Sequence, residues 1–322
     1  MAKMTDDTLL KHLQSNEDDA AQYVDAIGAT RLASMREYYR EPYPGDEALD
    51  GWSQIVTSEV QDTVEWILPE LLDVFTTSDE AVVFEPSKAD AVKGAQQATD
   101  ACNYVFYKQN NGFLTLYTAF KDALIAQNCA VEWRTVTEQV LDVQEVQGAP
   151  LDVLAMLEQE GYEIEAVEPL MGAAVPLFNA KVARTQDKKR VLVEAFPPEQ
   201  LIVKRGWTSP LLGECPYVAR LMQVTLSDLR QIGFKGVTAA ELRASEDAMR
   251  DAQEEDYRLQ RTDGGFTQDN DEVDSEDDSL ATGWLRCEYV LVDYDGDGIA
   301  ERRLIYRLAD KILSNEETDQ VQ

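Results

Sequence analysis

The residues best suited to chemistry sit in one short turn. Asp293, Asp295 and Asp297 occupy alternate positions, Gly298 follows, and Glu301 comes at the ninth place. Hard divalent cations take oxygen ligands, and calcium loops supply them from positions one, three and five, with glycine at six. Asp293, Asp295, Asp297 and Glu301 are therefore candidate ligands for a weak Ca2+ or Mg2+ site. Position twelve is Leu304, where such a loop carries a bidentate glutamate. The alternative is a polar hairpin turn whose glycines supply positive φ and whose aspartates bond nearby amides. Beyond that ion, no cofactor is expected.

Catalytic signatures are otherwise missing. The sequence has no phosphate-binding lysine loop, no GxSxG elbow, no HExxH and no GxGxxG after a strand. A single histidine, His12, leaves no basis for His-based metal sites or nucleophile–histidine pairs. The four cysteines are far apart and form no CxxC pair, which points to reduced thiols. An enzyme is not expected. Tyr38 and Tyr39 between Arg36 and Arg40 could stack on bases, or could end an amphipathic helix with internal ion pairs. Lys188-Lys189-Arg190 and Lys204-Arg205 could touch DNA or an acidic neighbouring subunit, or form solvated turns.

The elements that must carry these groups follow from pattern and charge. With a formal charge of −32 over 322 residues, the surface repels phosphate, so high-affinity nucleic-acid binding and anionic membranes are disfavoured. No signal peptide or membrane-spanning run is expected. Residues 5–40 read as helix with a break near Gly28. A capping box at Ser58–Gln61 should open a helix whose face holds Val60, Val64, Ile67, Leu68, Leu71, Leu72 and Phe75, kinked or divided at Pro69. Ala81–Phe84 reads as a short strand. Helices follow over 88–109, with Ala95, Ala98, Cys102, Val105 and Phe106 inward, and over 113–127, through Phe113, Leu116, Tyr117, Phe120 and Leu124. Cys129, Val131 and Trp133 then alternate with polar residues as in a half-buried strand. A short helix from Pro150 should close at Gly161. Strands are expected at 178–185 and 190–195, joined by a turn at 186–189, and at 217–224, before a helix capped at Thr225 and ended by Gly233. Residues 239–261 could form a surface helix. Strands over 284–293 and 302–308 flank the aspartate turn.

This is an α+β chain: amphipathic helices first, then a mixed antiparallel β and short-helix region. Four regions are expected: 1–128 mainly helical, 129–238 mixed and wing-like, 239–283 an acidic mobile insertion, and 284–322 a hairpin region.

Several segments, in order, resemble the portal proteins of short-tailed bacteriophages. They are Tyr38-Tyr39-Arg40, Gly51 to Val60, Thr63 to Leu71 and Val83-Phe84-Glu85-Pro86. Asn110 to Phe113, Phe120 to Leu124, Phe196 to Leu201, Val224 to Leu229 and the turn Asp293 to Glu301 continue the set. Trp52 departs from the arginine common in the family. Portal subunits of this kind are longer, so the chain is expected to match their N-terminal part. The resemblance implies a structural subunit of a homo-oligomeric ring, a dodecamer, at one capsid vertex of the virion, made in the host cytoplasm. It implies capsid and scaffold proteins, the terminase large subunit and head-completion or tail adaptor proteins as partners. Double-stranded DNA would pass through without sequence specificity, and no membrane is involved.

Overall fold

The computed structural model describes residues 3–43, 45, 51, 53, 55–78, 80–170, 177–209, 211–245, 277–319 and 321. It divides into two compact units, Met1–Glu132 with Glu194–Gln322, and Trp133–Val193. Helices combine with antiparallel sheets, as the α+β reading expects.

In the larger unit a helix, α1 (Asp6–Tyr39), runs without interruption for 34 residues, or about 51 Å at 1.5 Å per residue. Thr5 caps its start, and Arg40, in the left-handed region at φ 60°, ends it. The break expected near Gly28 does not occur. One glycine inside a helix costs about 1 kcal/mol, and burial at both ends of α1 outweighs that. Leu9, Leu13 and Ala20 enter one core, with Tyr217, Trp284 and Ile305. Met35 and Tyr38 enter another, with Val64 and Ile125. Tyr38 is thus core and not a stacking surface.

The second core is helical. In α2 (Glu59–Thr76) Val64, Leu68 and Leu72 are buried, while Val60 and Phe75 at its ends are exposed. The helix continues through Pro69. The expected capping box is absent, because Ser58 donates its hydroxyl to Asp62 at 2.7 Å. Helix α3 (Val92–Asn103) buries Thr99 and Asn103 and leaves Cys102 exposed, against the expected inward face. The polar pair has a task. Asn103 Oδ1 accepts the amides of Ala81 and Val82 at 2.9 and 3.2 Å, and its Nδ2 donates to the Val82 carbonyl at 2.8 Å. Thr99 Oγ1 accepts the Phe84 amide at 3.0 Å. Residues 81–84 are therefore irregular chain whose backbone is satisfied by side chains, not the expected strand. Helix α4 (Gly112–Ala126) buries Thr115, Ala119 and Ile125, while Phe113 is exposed. The real face is offset from the predicted one because α4 packs on both α1 and α2, where its buried Lys121 pairs with Glu65 of α2 at 2.9 Å.

The long strand β1 (Ala130–Ala149) begins in the larger unit and enters the smaller one. Its alternation is the reverse of the expected pattern: Ala130 and Glu132 are buried, while Val131 and Trp133 are 50% and 46% exposed. In the smaller unit α5 (Leu151–Gln159), β2 (Glu163–Pro169) and β3 (Phe178–Phe196) complete a sheet of order β1-β3-β2. Leu154 and Leu157 of α5 pack with Tyr162, Ala180 and Val182. No turn interrupts β3 at 186–189; that stretch is polar but holds no glycine or proline to force one.

A five-stranded antiparallel sheet forms the rest of the larger unit: β4 (Leu201–Val203), β5 (Tyr217–Thr225), β6 (Thr282–Val292), β7 (Glu301–Leu308) and β8 (Lys311–Glu317), in chain order. Sequence reading missed β8. Thr225 and Asp228 form a capping box at the head of α6 (Leu226–Ile232), and Gly233 at φ 116° closes it. In α7 (Ala239–Arg243) Leu242 is fully buried, so the start of the expected surface helix is core. Its continuation to 261 and most of the acidic stretch lie outside the described residues.

Candidate functional site

The hairpin β6–β7 pairs Val292 with Glu301 and so holds the ends of the aspartate turn together. Asp293, Asp295 and Asp297 each bring a carboxylate oxygen within 4.8 Å of the others. These carboxylates also accept backbone amides. Asp293 takes those of Gly296 and Gly298 at 2.7 and 3.0 Å, Asp295 that of Asp297 at 3.1 Å, and Asp297 that of Ile299 at 2.7 Å. Positive φ at Gly296 and Gly298, 79° and 93°, makes this wrapping possible. Glu301 turns elsewhere: its Oε1 accepts the Tyr294 amide at 3.0 Å and lies 3.8 Å from Arg303. The Tyr294 ring carries Arg303 at 4.1 Å and Lys3 at 4.9 Å. Each carboxylate oxygen has two lone pairs, so the amide bonds leave room for a cation.

Further along the same two strands lies a buried ionic network that sequence reading missed. Arg307 Nη2 donates to Glu17 Oε2 at 2.6 Å, and its Nε to Glu288 Oε2 at 2.8 Å. Arg286 Nε reaches Glu17 Oε1 at 3.2 Å, and the Tyr217 hydroxyl donates to Glu288 Oε1 at 2.8 Å. Burial, then the Glu288 charge, raises the Tyr217 phenol well above its ordinary range. The network bonds α1 to β5, β6 and β7. Its one sequence signal is Glu17, which follows Leu9 and Leu13 at a core spacing of four.

A cavity of about 320 Å3 opens between the start of β1 and the sheet, lined by Cys129, Glu132, Phe196, Arg220, Cys287 and Tyr289 among others. Arg220 lies 4.2 Å from the Phe196 ring centre and pairs with Glu132 and, at 3.2 Å, with Glu194. The reversed face of β1 is explained here: Glu132 must turn inward to meet Arg220. Burial pushes the Cys287 thiol up to about 11. A thiol so rarely ionised is a poor nucleophile, and the lone His12 stands exposed on α1.

The Cys287 shift has a measurable consequence. Between pH 9 and 10 the unfolded chain gives up this proton and the folded chain keeps it, so stability is full below pH 9 and falls as pH rises. The loss by pH 10 is expected to be about 1 kcal/mol. Urea unfolding at pH 8, 9 and 10 checks this. Cys287→Ala should flatten that slope, and an unchanged slope in the variant would refute the assignment.

A family model described as phage SU10 portal protein matches residues 9–322. The chain belongs to that family. It is a structural subunit of a phage portal, a component of the virion. None of the curated proteins matches it. Among the described residues of this portal subunit, no helix is long and apolar enough to cross a membrane. The network at Glu17 and Arg307 ties α1 to the sheet, and the pair at Glu132 and Arg220 ties the start of β1 to β5.

Proposed function

We propose that the chain assembles as a twelve-fold ring at one capsid vertex and bounds the channel through which double-stranded DNA enters and leaves. The family match over residues 9–322 carries this reading. Capsid and scaffold proteins would meet the ring during head assembly, the terminase large subunit during packaging, and head-completion and tail adaptor proteins afterwards. A closed ring is a heterologous assembly, so each subunit presents two different, complementary faces. The charge of −32 supports the channel role, since a wall of like charge lets a polyanion slide without sticking. The role is mechanical and has no catalytic turnover. Native mass spectrometry with negative-stain images tests it. The expected result is a holed particle of about twelve times the 36.2 kDa chain. A monomer or dimer at every concentration would overturn the ring.

A second role is proposed for the aspartate turn, because three of its carboxylates converge. It takes Ca2+ or Mg2+ weakly at Asp293, Asp295 and Asp297, with Glu301 reached through water. Calorimetric titration should show binding at about millimolar Ca2+, abolished by Asp295→Asn with Asp297→Asn. No heat in the unsubstituted chain rejects the site.

A further inference from the structure

Two exposed surfaces of opposite charge stand out. On α2, Glu59, Asp62, Trp66, Glu70 and Asp73 recur at spacings of three and four and so share one face. All five are exposed, Trp66 to 73%. Trp66 thus leaves most of its ring to solvent among four carboxylates on the same face. On β3, Lys188 and Lys189 precede Arg190 in the longest uninterrupted basic run of a chain with net charge −32, and both lysines are exposed. Because β3 continues through this stretch, alternate side chains share a face, so Lys188 lies with Arg190 on one face and Lys189 with Asp187 on the other. The face of Lys188 and Arg190 is therefore not a solvated loop tip but a basic band on a regular strand.

We infer that these are the two halves of one contact between copies: the basic band of β3 on one subunit docks against the acidic, tryptophan-bearing face of α2 on the next. The inference rests on the proposed ring, which requires two unlike faces on every subunit. Charge complementarity selects the pairing. Copies carrying −32 each repel one another, so association needs a place where opposite charges meet. Trp66, central among the carboxylates, gives a lysine a ring face as well as anions. A negative duplex would gain from the lysines alone and would leave the Trp66 face without a role.

Reciprocal charge reversal tests this. One variant carries Lys188→Glu with Lys189→Glu, so both of its contact faces are acidic. The other carries Glu70→Lys with Asp73→Lys, so its α2 face loses its net negative charge while its β3 band stays basic. All four positions are exposed, and circular dichroism melting should show both variants folded. Alone, each is expected to need about tenfold or more the wild-type concentration to assemble. Mixed in equal amounts they should assemble as the wild type does, alternating around the ring. Trp66→Ser, which keeps every charge, should weaken assembly too. If wild type and both separate variants form rings equally well, the pairing is overturned and the ring reading stands. The pairing also falls if the mixture fails to recover what the folded variants lost. Loss of duplex retention by the lysine variant with normal assembly would likewise overturn it, and assign the band to DNA. A wild-type chain that never leaves the monomer overturns the ring, and this contact with it.

Discussion

Arg307→Ala is expected to destabilise the larger unit by about 3–5 kcal/mol, the range for breaking a buried ion pair from one side. Arg307 is 2% exposed and Glu288 is fully buried. Removing the guanidinium leaves Glu288 facing the Tyr217 hydroxyl and Glu17 facing the Arg286 Nε at 3.2 Å. Two carboxylates then share a space closed to water without the cation that joined them. The effect reaches beyond the sheet, because Arg307 bonds α1 to β6 and β7 together. The urea midpoint should fall sharply with the slope retained. An apolar replacement of the whole group, Arg307→Met with Glu17→Leu and Glu288→Leu, should recover much of the loss, since buried pairs are replaceable by packed hydrophobes. A loss under about 1 kcal/mol in the single variant would show that water reaches the network.

The second large effect is expected at Gly283→Ala. Gly283 lies in β6 opposite Val224, where α7 crosses the strand. A Cβ there would come within 2.3 Å of the Leu242 carbonyl oxygen, and within 2.6 Å of Leu242 Cδ1 and Ser245 Oγ. The first of these is backbone and cannot rotate away. The Ser245 hydroxyl is itself committed, donating to Leu242 O at 2.6 Å and accepting the Trp284 amide at 2.9 Å. Relief requires α7 to lift, and Leu242 with it, so the cost is about 3 kcal/mol or more. Gly94→Ala makes the contrast. Its Cβ meets nothing within 4 Å and it sits inside α3, so the substitution should stabilise by about 0.5–1 kcal/mol. Thermal unfolding of the two variants should move the transition in opposite directions; equal shifts would contradict the packing of α7 on β6.

Local rules determined those parts of this protein whose energetics are local. Thr225 and Asp228 cap α6, Gly233 ends it, and β6 and β7 meet at the aspartate turn, because caps, positive φ and period-two patterns act within a few residues. The ordered set of short segments was likewise enough to identify the portal family. Tertiary structure decided what depends on residues far apart in the chain. Gly28 stays helical because cores at both ends of α1 hold it. Ala81–Phe84 is no strand because Thr99 and Asn103 satisfy its backbone. The residues at 186–189 continue a strand, past the end of β2, because β3 stays in a sheet beside the long strand β1. Glu132 displaces the apolar face of β1 from the interior because Arg220 waits there, and Glu17 takes a core position because Arg307 does. A charged residue reads as surface until its buried partner is known, and that partner lies 88 residues away in one case and 290 in the other.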